Sequence, residues 1–326
     1  MNSFVFALNA VTPIILTVAI GYILKKVGLI SGDLAKSLNR LVFRLALPSM
    51  LFLNVYNIED IGDIDFSYLI YVLAVLFAVF LISVPLVIIV TKVHKRRGSL
   101  LQATFRSNFA LIGIPISRAL FGAEGVAVAT LLSAIVIPLY NVLAVVGLSI
   151  FNDDGTKPSL KKIVLGILKN PLIQSIAAGI ALLGLRAVFI NSGIDFRLSD
   201  ITPIFKVLGY LSDLATPLAL LVLGAQFEFS AIKELRREII FGTVMRTVAV
   251  PLIGIGLAYL LGIFTGAHFA VFVAVFATPV AVSSVPMAEA MGSDSALAGQ
   301  LVIWTTLLST VSVFVASYLL KAAGIF

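Results

Sequence analysis

The sequence predicts an all-α integral membrane protein with ten transmembrane helices in two inverted five-helix repeats, in which helices 4 and 9 are broken and cross. Three observations lead to this prediction. The 326 residues are 60% hydrophobic and 12% charged, with a mean hydropathy of +1.12, whereas soluble domains are about half apolar and about a quarter charged. Long apolar runs alternate with short polar segments, and prolines recur at matching places in the two halves of the chain.

Ten runs have the length and composition expected of membrane spans, each of which takes about 20 helical residues. They are predicted at residues 4–24, 38–56, 67–91, 107–121, 125–150, 169–189, 203–225, 239–262, 268–290 and 296–320. No charged segment precedes the first run and no small-residue cleavage site follows it, so we interpret it as a retained span rather than a signal peptide.

The basic residues predict how the chain is oriented. Most of the 23 Lys and Arg residues lie in the polar segments after spans 1, 3, 5 and 7, and such residues mark cytoplasmic loops. Arg106 is counted with the segment after span 3, and Arg246 with the segment after span 7 as an anchor at the membrane interface. We therefore expect a multi-pass protein of the inner (cytoplasmic) membrane with both termini outside the cytoplasm. The same distribution accounts for the net charge of +7 without nucleic-acid binding.

An internal repeat is visible in the prolines and their neighbours. The first four spans carry Pro13, Pro48, Pro85 and Pro115, and spans 6 to 9 carry Pro171, Pro217, Pro251 and Pro286 in the same order. We assign the repeats to residues 1–150 and 169–326, joined by a short cytoplasmic linker, 151–168. Because each repeat has five spans, the second enters the membrane inverted. Inverted repeats are typical of secondary transporters, which bind substrate near the midplane where broken helices meet.

Spans 4 and 9 are the most polar and the most interrupted, with the sequences SNFALIGIPISRALFG and ATPVAVSSVPMAEAMG. Proline removes a backbone donor and clashes with the preceding turn, and irregular backbone at membrane depth is tolerated only beside protein or a watery cavity. We therefore expect the two spans to unwind and cross near Pro115 and Pro286. Half-helix N-termini at such a crossing favour an anion.

The candidate substrate-binding residues are Asn108, Gly113, Pro115, Ser283, Ser284 and Pro286. Asn108 is interpreted either as a donor to a substrate carboxylate or as the cap of span 4. The two serines either bind substrate or bond to their own helix.

Three ionisable residues are candidates for gating or ion coupling, because such residues inside a membrane are functional by default. Arg118 and Glu289 each follow the crossover proline of their repeat by three residues, and Asp213 precedes the proline of span 7. A position at the membrane surface, or at the start of a helix for Asp213, is the alternative.

The residues that hydrolytic and metal chemistry need are scarce. The chain has no Cys and two His, His94 and His268, and it contains neither HExxH nor GxSxG. We therefore predict that the protein is not an enzyme, has no metal site and holds no resident cofactor.

Four stretches resemble the auxin efflux carrier family. NFALIGIP (108–115) resembles the signature of its fourth helix, LALPSMLF (45–52) its second helix and LSDLATPLALLVLG (211–224) its seventh. FATPVAVSSVPMAEAMGSD (276–294) resembles the ninth helix of bacterial members. The likeness extends over the whole chain, and that family is part of the wider bile acid/auxin-type superfamily.

This resemblance implies a scaffold domain from helices 1, 2, 6 and 7 and a transport domain from helices 3–5 and 8–10. It also implies a homodimer, a small organic anion as the substrate, and Asn108 as a substrate contact. The chain departs from plant members in its short linker and in Ser283 and Ser284 of the ninth helix, so auxin itself is not implied.

Together these observations favour a secondary transporter, surrounded by membrane lipids, that moves a small carboxylate anion by elevator-type or rocking alternating access. Coupling to protons, to sodium or to the membrane potential alone stays open. One alternative is a sodium-coupled symporter of the bile-acid type, which shares this general architecture. The other is a membrane ligand sensor that does not transport, against which the absence of a soluble effector domain counts.

Overall fold

The computed structural model of the chain describes residues 3–58, 66–151 and 160–325, which are almost entirely helical and contain no β-strand. The α-helices are α1 (Ser3–Lys26), α2 (Gly32–Leu41), α3 (Leu47–Tyr56), α4 (Phe66–Val90), α5 (His94–Phe105), α6 (Ile114–Ile150), α7 (Leu160–Leu168), α8 (Pro171–Asn191), α9 (Thr202–Gln226), α10 (Ala231–Val244), α11 (Val250–Leu261), α12 (Gly266–Phe276), α13 (Ser284–Ala290) and α14 (Ser295–Ala322). A short 3₁₀ turn at Leu198–Asp200 precedes α9.

Seven helical segments among the described residues are long and apolar enough to cross a membrane. They are Gly32–Tyr56, Ser67–Val90, Phe109–Ile150, Pro171–Asn191, Thr202–Gln226, Ala231–Leu261 and Ser295–Ala322. The protein is therefore a multi-pass membrane protein, while the ten-span inverted repeat stays a prediction. Of the predicted linker, residues 152–159 lie outside the described residues and Leu160–Leu168 form α7.

Some of these helices are not regular throughout. The described residues include three π-helical turns, at Val42–Ala46, Phe109–Gly113 and Met245–Ala249. Each is followed two residues later by a proline, at Pro48, Pro115 and Pro251. A proline has no N–H to donate and its ring crowds the carbonyl one turn earlier, so a widened turn just before it relieves the clash. In α6 a second irregularity at Gly122, whose φ is +60°, separates the first turns from the long remainder.

The helices pack in two groups. Helix α1 lies against α9, and α3 lies against α8 and α9. The second group contains α4, α5, α6 and α10 to α14, in which α12 packs on α6 and α14 packs on α10 and α13. Small residues bring α1 and α9 together, since a Cβ atom added at Gly224 would overlap the carbonyl oxygen of Val18, and close helix approach in membranes depends on such residues.

Apolar side chains cover much of the outer surface. Leu252 and Leu260 of α11 are 66% and 80% exposed, and Ile89 of α4 is 71% exposed. In water such surfaces would drive association. In a bilayer the same side chains contact acyl chains, as the composition of the chain requires.

We predict that Gly224→Ala lowers the free energy of unfolding by about 1–3 kcal/mol, the usual cost of overpacking. Gly256→Ala in α11 is the matched control, because a Cβ atom there meets nothing within 4 Å and alanine is the better helix former by about 1 kcal/mol. Thermal unfolding of both purified variants, followed by the fluorescence of the single Trp, checks this. Equal melting temperatures would contradict the close α1–α9 contact.

Candidate functional site

Two interrupted helices meet in the interior of the second helix group. Helix α5 ends at Phe105, and the chain is extended at Arg106 before the π-helical turn that leads into α6. Helices α12 and α13 are likewise separated by residues 277–283. The two interruptions pair through their backbones, with an antiparallel bridge between Ser107 and Val280 and a 2.7 Å hydrogen bond from the Asn108 N–H to the Pro279 carbonyl. Each break thus satisfies polar groups that the other leaves without a helical partner.

The expected position of the breaks, at Pro115 and Pro286, is wrong. The chain leaves the helix at 106–108 and at 277–283, several residues before each proline. Pro286 lies in the first turn of α13, where an amide N–H has no partner within the helix, so proline is tolerated there and begins a helix rather than ending one. Pro115 follows the π-helical turn at Phe109–Gly113 by two residues, and that widened turn accommodates its ring within a continuous helical segment.

Arg246 holds the two broken helices together. Its side chain is fully buried (0% exposed) and donates to the carbonyls of Phe105 at 3.2 Å, Val275 at 2.6 Å and Thr278 at 2.7 Å. The Phe105 and Val275 carbonyls belong to the C-terminal turns of α5 and α12, where unsatisfied acceptors carry partial negative charge, and the Thr278 carbonyl lies in the break that follows α12. Arg246 is therefore a structural bridge, and its assignment as an interfacial anchor was wrong. The sequence did contain a sign that Arg246 is buried, because this residue lies inside the apolar stretch that ends at Leu261.

A second arginine, Arg106, is buried at the crossing (2% exposed). Its guanidinium donates to Gln102 Oε1 at 2.9 Å, Asn141 Oδ1 at 2.6 Å and Ser283 Oγ at 2.8 Å. These acceptors are neutral, and no carboxylate among the described residues lies within ion-pair distance of it. Its assignment to a polar loop was wrong. The remaining basic residues still favour the same orientation of the chain.

A cavity of about 80 Å³ lies beside this guanidinium. Polar side chains of Arg106, Asn108, Tyr140, Asn141 and Ser283 line one side. The other wall comes from the first helix group and is mainly apolar, with Leu47, Met50, Asn54, Ala215, Thr216 and Ala219. The cavity therefore lies at the interface between the two helix groups, and its charged wall belongs to the group that contains the crossing. We call it the crossing cavity.

Asn108 has the features of a residue that awaits a ligand. It is 6% exposed and lines the crossing cavity, and its Nδ2 atom has no hydrogen-bond partner among the described residues. It occupies the cap position of the π-helical turn, yet its side chain makes no capping bond. The interpretation of this side chain as a helix cap is therefore not supported. A buried amide donor without a partner costs about 1–3 kcal/mol, which an acceptor in the cavity would recover.

The other predicted binding residues lie around the cavity rather than in its wall, except Ser283. Gly113 allows close packing, because a Cβ atom there would meet Phe109 and the Ala274 carbonyl. Ser284 is buried and its Oγ has no partner. Neither Gly113 nor Ser284 lines the crossing cavity, and the same holds for Pro115 and Pro286.

The three ionisable candidates lie outside the crossing cavity. Arg118 and Asp213 are exposed. Glu289 is half-buried and accepts hydrogen bonds from Gln226 Nε2 at 3.0 Å and from Asn39 Nδ2. No group of three His, Asp or Glu side chains that could hold a metal ion occurs in the described part of the chain.

Comparison with known proteins gives one family and two relatives. The sequence pattern of the family described as membrane transport protein matches residues 6–317. An uncharacterized transporter of Methanothermobacter thermautotrophicus is 26% identical over 95% of this chain and 97% of its own length. An uncharacterized transporter of Methanocaldococcus jannaschii is 28% identical over 69% of this chain and 70% of its own length.

We predict that Arg246→Met lowers the free energy of unfolding by about 3–5 kcal/mol, the range for removing one member of a buried charged contact. The substitution keeps the apolar bulk but leaves three carbonyls without a donor. Arg118→Met, at an exposed position, is the control for loss of charge alone. A melting temperature of Arg246→Met equal to that of the control would contradict the bridging role.

Proposed function

Because the chain belongs to the membrane transport protein family, we propose that it is a secondary transporter whose substrate is a small organic carboxylate anion. This family is the one that the auxin efflux carrier resemblance indicated. Both relatives are named transporters, so the protein is a transporter and not an enzyme. The substrate class and the mechanism are the proposal.

One observation carries the choice of an anion: the Arg106 guanidinium is buried beside a cavity, and no carboxylate of the described residues neutralises it. Several kcal/mol is the usual penalty for taking a charge out of water, and neutral hydrogen bonds return only part of it. A bound carboxylate supplies the missing opposite charge. The partnerless amide of Asn108 lines the same cavity and gives that carboxylate a second donor.

The first turn after the break adds a third favourable element. Phe109, Ala110 and Leu111 begin the helical segment that leads into α6, and all three line the crossing cavity. The first amides of a helix have no acceptor within it, and the helix dipole is positive at this end. The carboxylate is thus bound by a guanidinium, an amide and a helix start, while its organic part contacts the apolar wall formed by residues such as Leu47 and Ala219.

The position of the cavity suits alternating access. Its two walls belong to different helix groups, so a displacement of one group against the other changes the side from which the cavity is open. In this proposal α1, α2, α3, α8 and α9 are the scaffold, and the group with the crossing carries the substrate. An elevator-type or rocking motion keeps the anion's charged contacts intact during movement, because Arg106 and Asn108 belong to one group.

Membrane potential alone can drive such a carrier in the export direction. Moving one negative charge out of a cell with a negative interior gains about 2.3 kcal/mol per 100 mV. Among the described residues that line the crossing cavity, the charged side chain is that of Arg106, so no carboxylate there offers a ligand to a coupling cation.

We predict that a carboxylate raises the melting temperature of the purified protein, and that Arg106→Gln and Asn108→Ala weaken its binding. The panel contains acetate, malonate, malate and indole-3-acetate, each with and without sodium. A charged hydrogen bond contributes about 1.5–3 kcal/mol, so Arg106→Gln should raise the Kd at least about tenfold. Arg236→Gln and Asn191→Ala, at exposed positions, are the matched controls.

Two results would contradict the proposal. One is unchanged affinity in both cavity variants, which would place the ligand elsewhere. The other is the absence of stabilisation by any of the four acids in the wild-type protein at millimolar concentrations. A stabilisation that requires sodium would favour the sodium-coupled alternative.

A further inference from the structure

A second cavity, of about 440 Å³, lies between α13 and the helical segment formed by α2 and its π-helical turn. Lys36, Arg40 and Arg44 line it, each four residues after the last and therefore on one helix face. Asn39 of the same segment and Glu289 of α13 complete its polar lining. We call this cavity the basic pocket. It lies at the end of the molecule that the basic residues assign to the cytoplasm.

The basic pocket carries an excess of positive charge. Lys36, Arg40 and Arg44 are exposed, and within the described residues none of them has a carboxylate at ion-pair distance. Of the acidic side chains that the structure describes, Glu289 alone lines it. A cleft lined by one sign of charge concentrates ions of the opposite sign and raises their association rate by about 10-fold or more. Small anions are therefore the solutes that this pocket attracts.

The basic pocket and the crossing cavity follow one another along the same two chain segments. On one side, the stripe that begins at Lys36 and passes Arg40 and Arg44 continues at three- or four-residue steps to Leu47 and Met50, which line the crossing cavity. On the other side, residues 286–290 contribute to the pocket and residues 281–283 to the crossing cavity. The two cavities are therefore neighbours along both chain segments.

Glu289 forms a bridge at the basic pocket. From α13 it accepts hydrogen bonds from Asn39 of α2 and from Gln226 at the end of α9, and so joins the two helix groups. The bridge is incompletely satisfied, because Asn39 Oδ1 and Gln226 Oε1 are buried and neither has a hydrogen-bond partner in the part of the chain that the structure describes. Each such orphan acceptor costs about 1–3 kcal/mol. The contact is therefore one that the protein can exchange for another arrangement.

We propose that the basic pocket is an anion-capture site on the path to the crossing cavity and that the Glu289 bridge is the latch that closes this path. This inference rests on the proposed function, in which the crossing cavity is the site that binds the carboxylate. Lys36, Arg40 and Arg44 attract the carboxylate, and the carboxylate of Glu289 repels it while the latch is closed. Separation of Glu289 from Asn39 and Gln226 opens the path.

The absence of Cys from the chain allows a test that needs no known substrate. Ala290→Cys places one thiol in the basic pocket. The rate at which this thiol reacts is measured with the anionic sulfonatoethyl and the cationic trimethylammonioethyl methanethiosulfonates. Each rate is divided by the rate at which the same reagent reacts with free 2-mercaptoethanol, which removes the difference in intrinsic reactivity. The full-length protein is held in nanodiscs of phosphatidylcholine, so that anionic lipid headgroups do not compete. We expect the anionic reagent to react at least about tenfold faster than the cationic one.

Charge variants identify the source of this preference. The triple variant Lys36→Gln, Arg40→Gln, Arg44→Gln should abolish it. A matched triple, Lys92→Gln, Lys233→Gln, Arg236→Gln, removes three exposed charges that do not line the pocket and should leave the preference for the anionic reagent unchanged.

Two outcomes would overturn the capture site. The first is equal rates for the two reagents at the Ala290→Cys thiol before any charge is removed. The second is loss of the preference on adding phosphatidylglycerol, which would show that lipid headgroups, rather than soluble anions, occupy the pocket.

The latch is tested at the crossing cavity. Ala219→Cys places a thiol in its wall, and the small neutral methyl methanethiosulfonate reports access to it. Glu289→Ala should raise the labelling rate about tenfold, whereas Glu124→Ala, which removes an exposed carboxylate outside both cavities, should not. Equal rates in the two variants would overturn the latch. Either failure leaves the transport proposal standing, because transport is judged by ligand stabilisation and not by labelling.

Discussion

The guanidinium of Arg246 is the contact on which the crossing depends. Two helices that stop in the interior of a membrane protein leave carbonyls and negative dipole ends with no water to satisfy them. Arg246 gives those ends three donors and a positive charge, at the Phe105, Val275 and Thr278 carbonyls. The breaks in turn make the crossing cavity possible, since a continuous helix would fill that space with regular backbone. The crossing cavity thus depends on the buried charge of Arg246, whose hydrogen-bond partners are all supplied by the fold.

Arg106 differs from Arg246 in what surrounds it. Arg246 donates only to backbone carbonyls at helix ends, so its charge is balanced within the fold. Arg106 donates to neutral side chains beside a cavity, so no described group of the fold balances its charge. Two arginines buried at one crossing therefore have different surroundings, and the proposed function gives them different roles, Arg246 in the structure and Arg106 in anion binding. Under that proposal a largely apolar membrane protein binds an anion at depth with few charged groups.

Much of the helical architecture could be predicted from the sequence, because apolar runs and prolines act locally. Asn108 and Ser283 were candidates, and both line the crossing cavity. The breaks were misplaced because proline was interpreted as a helix breaker, whereas Pro286 stands in a first turn and Pro115 follows a π-helical turn that accommodates its ring. Arg106 and Arg246 were missed because counting basic residues in loops assumes that arginine avoids the interior. Only the three-dimensional crossing shows which carbonyls and which cavity these side chains reach.

The central claim is that the chain carries an anion whose charge Arg106 neutralises, and flux under an imposed potential tests it most directly. Proteoliposomes loaded with the acid that stabilises the protein are given a negative interior potential with valinomycin and a potassium gradient. The account predicts that efflux rises with the potential in sodium-free buffer and is lost in Arg106→Gln but not in Arg236→Gln. Tight binding without flux, or flux unaffected by the loss of Arg106, would contradict it.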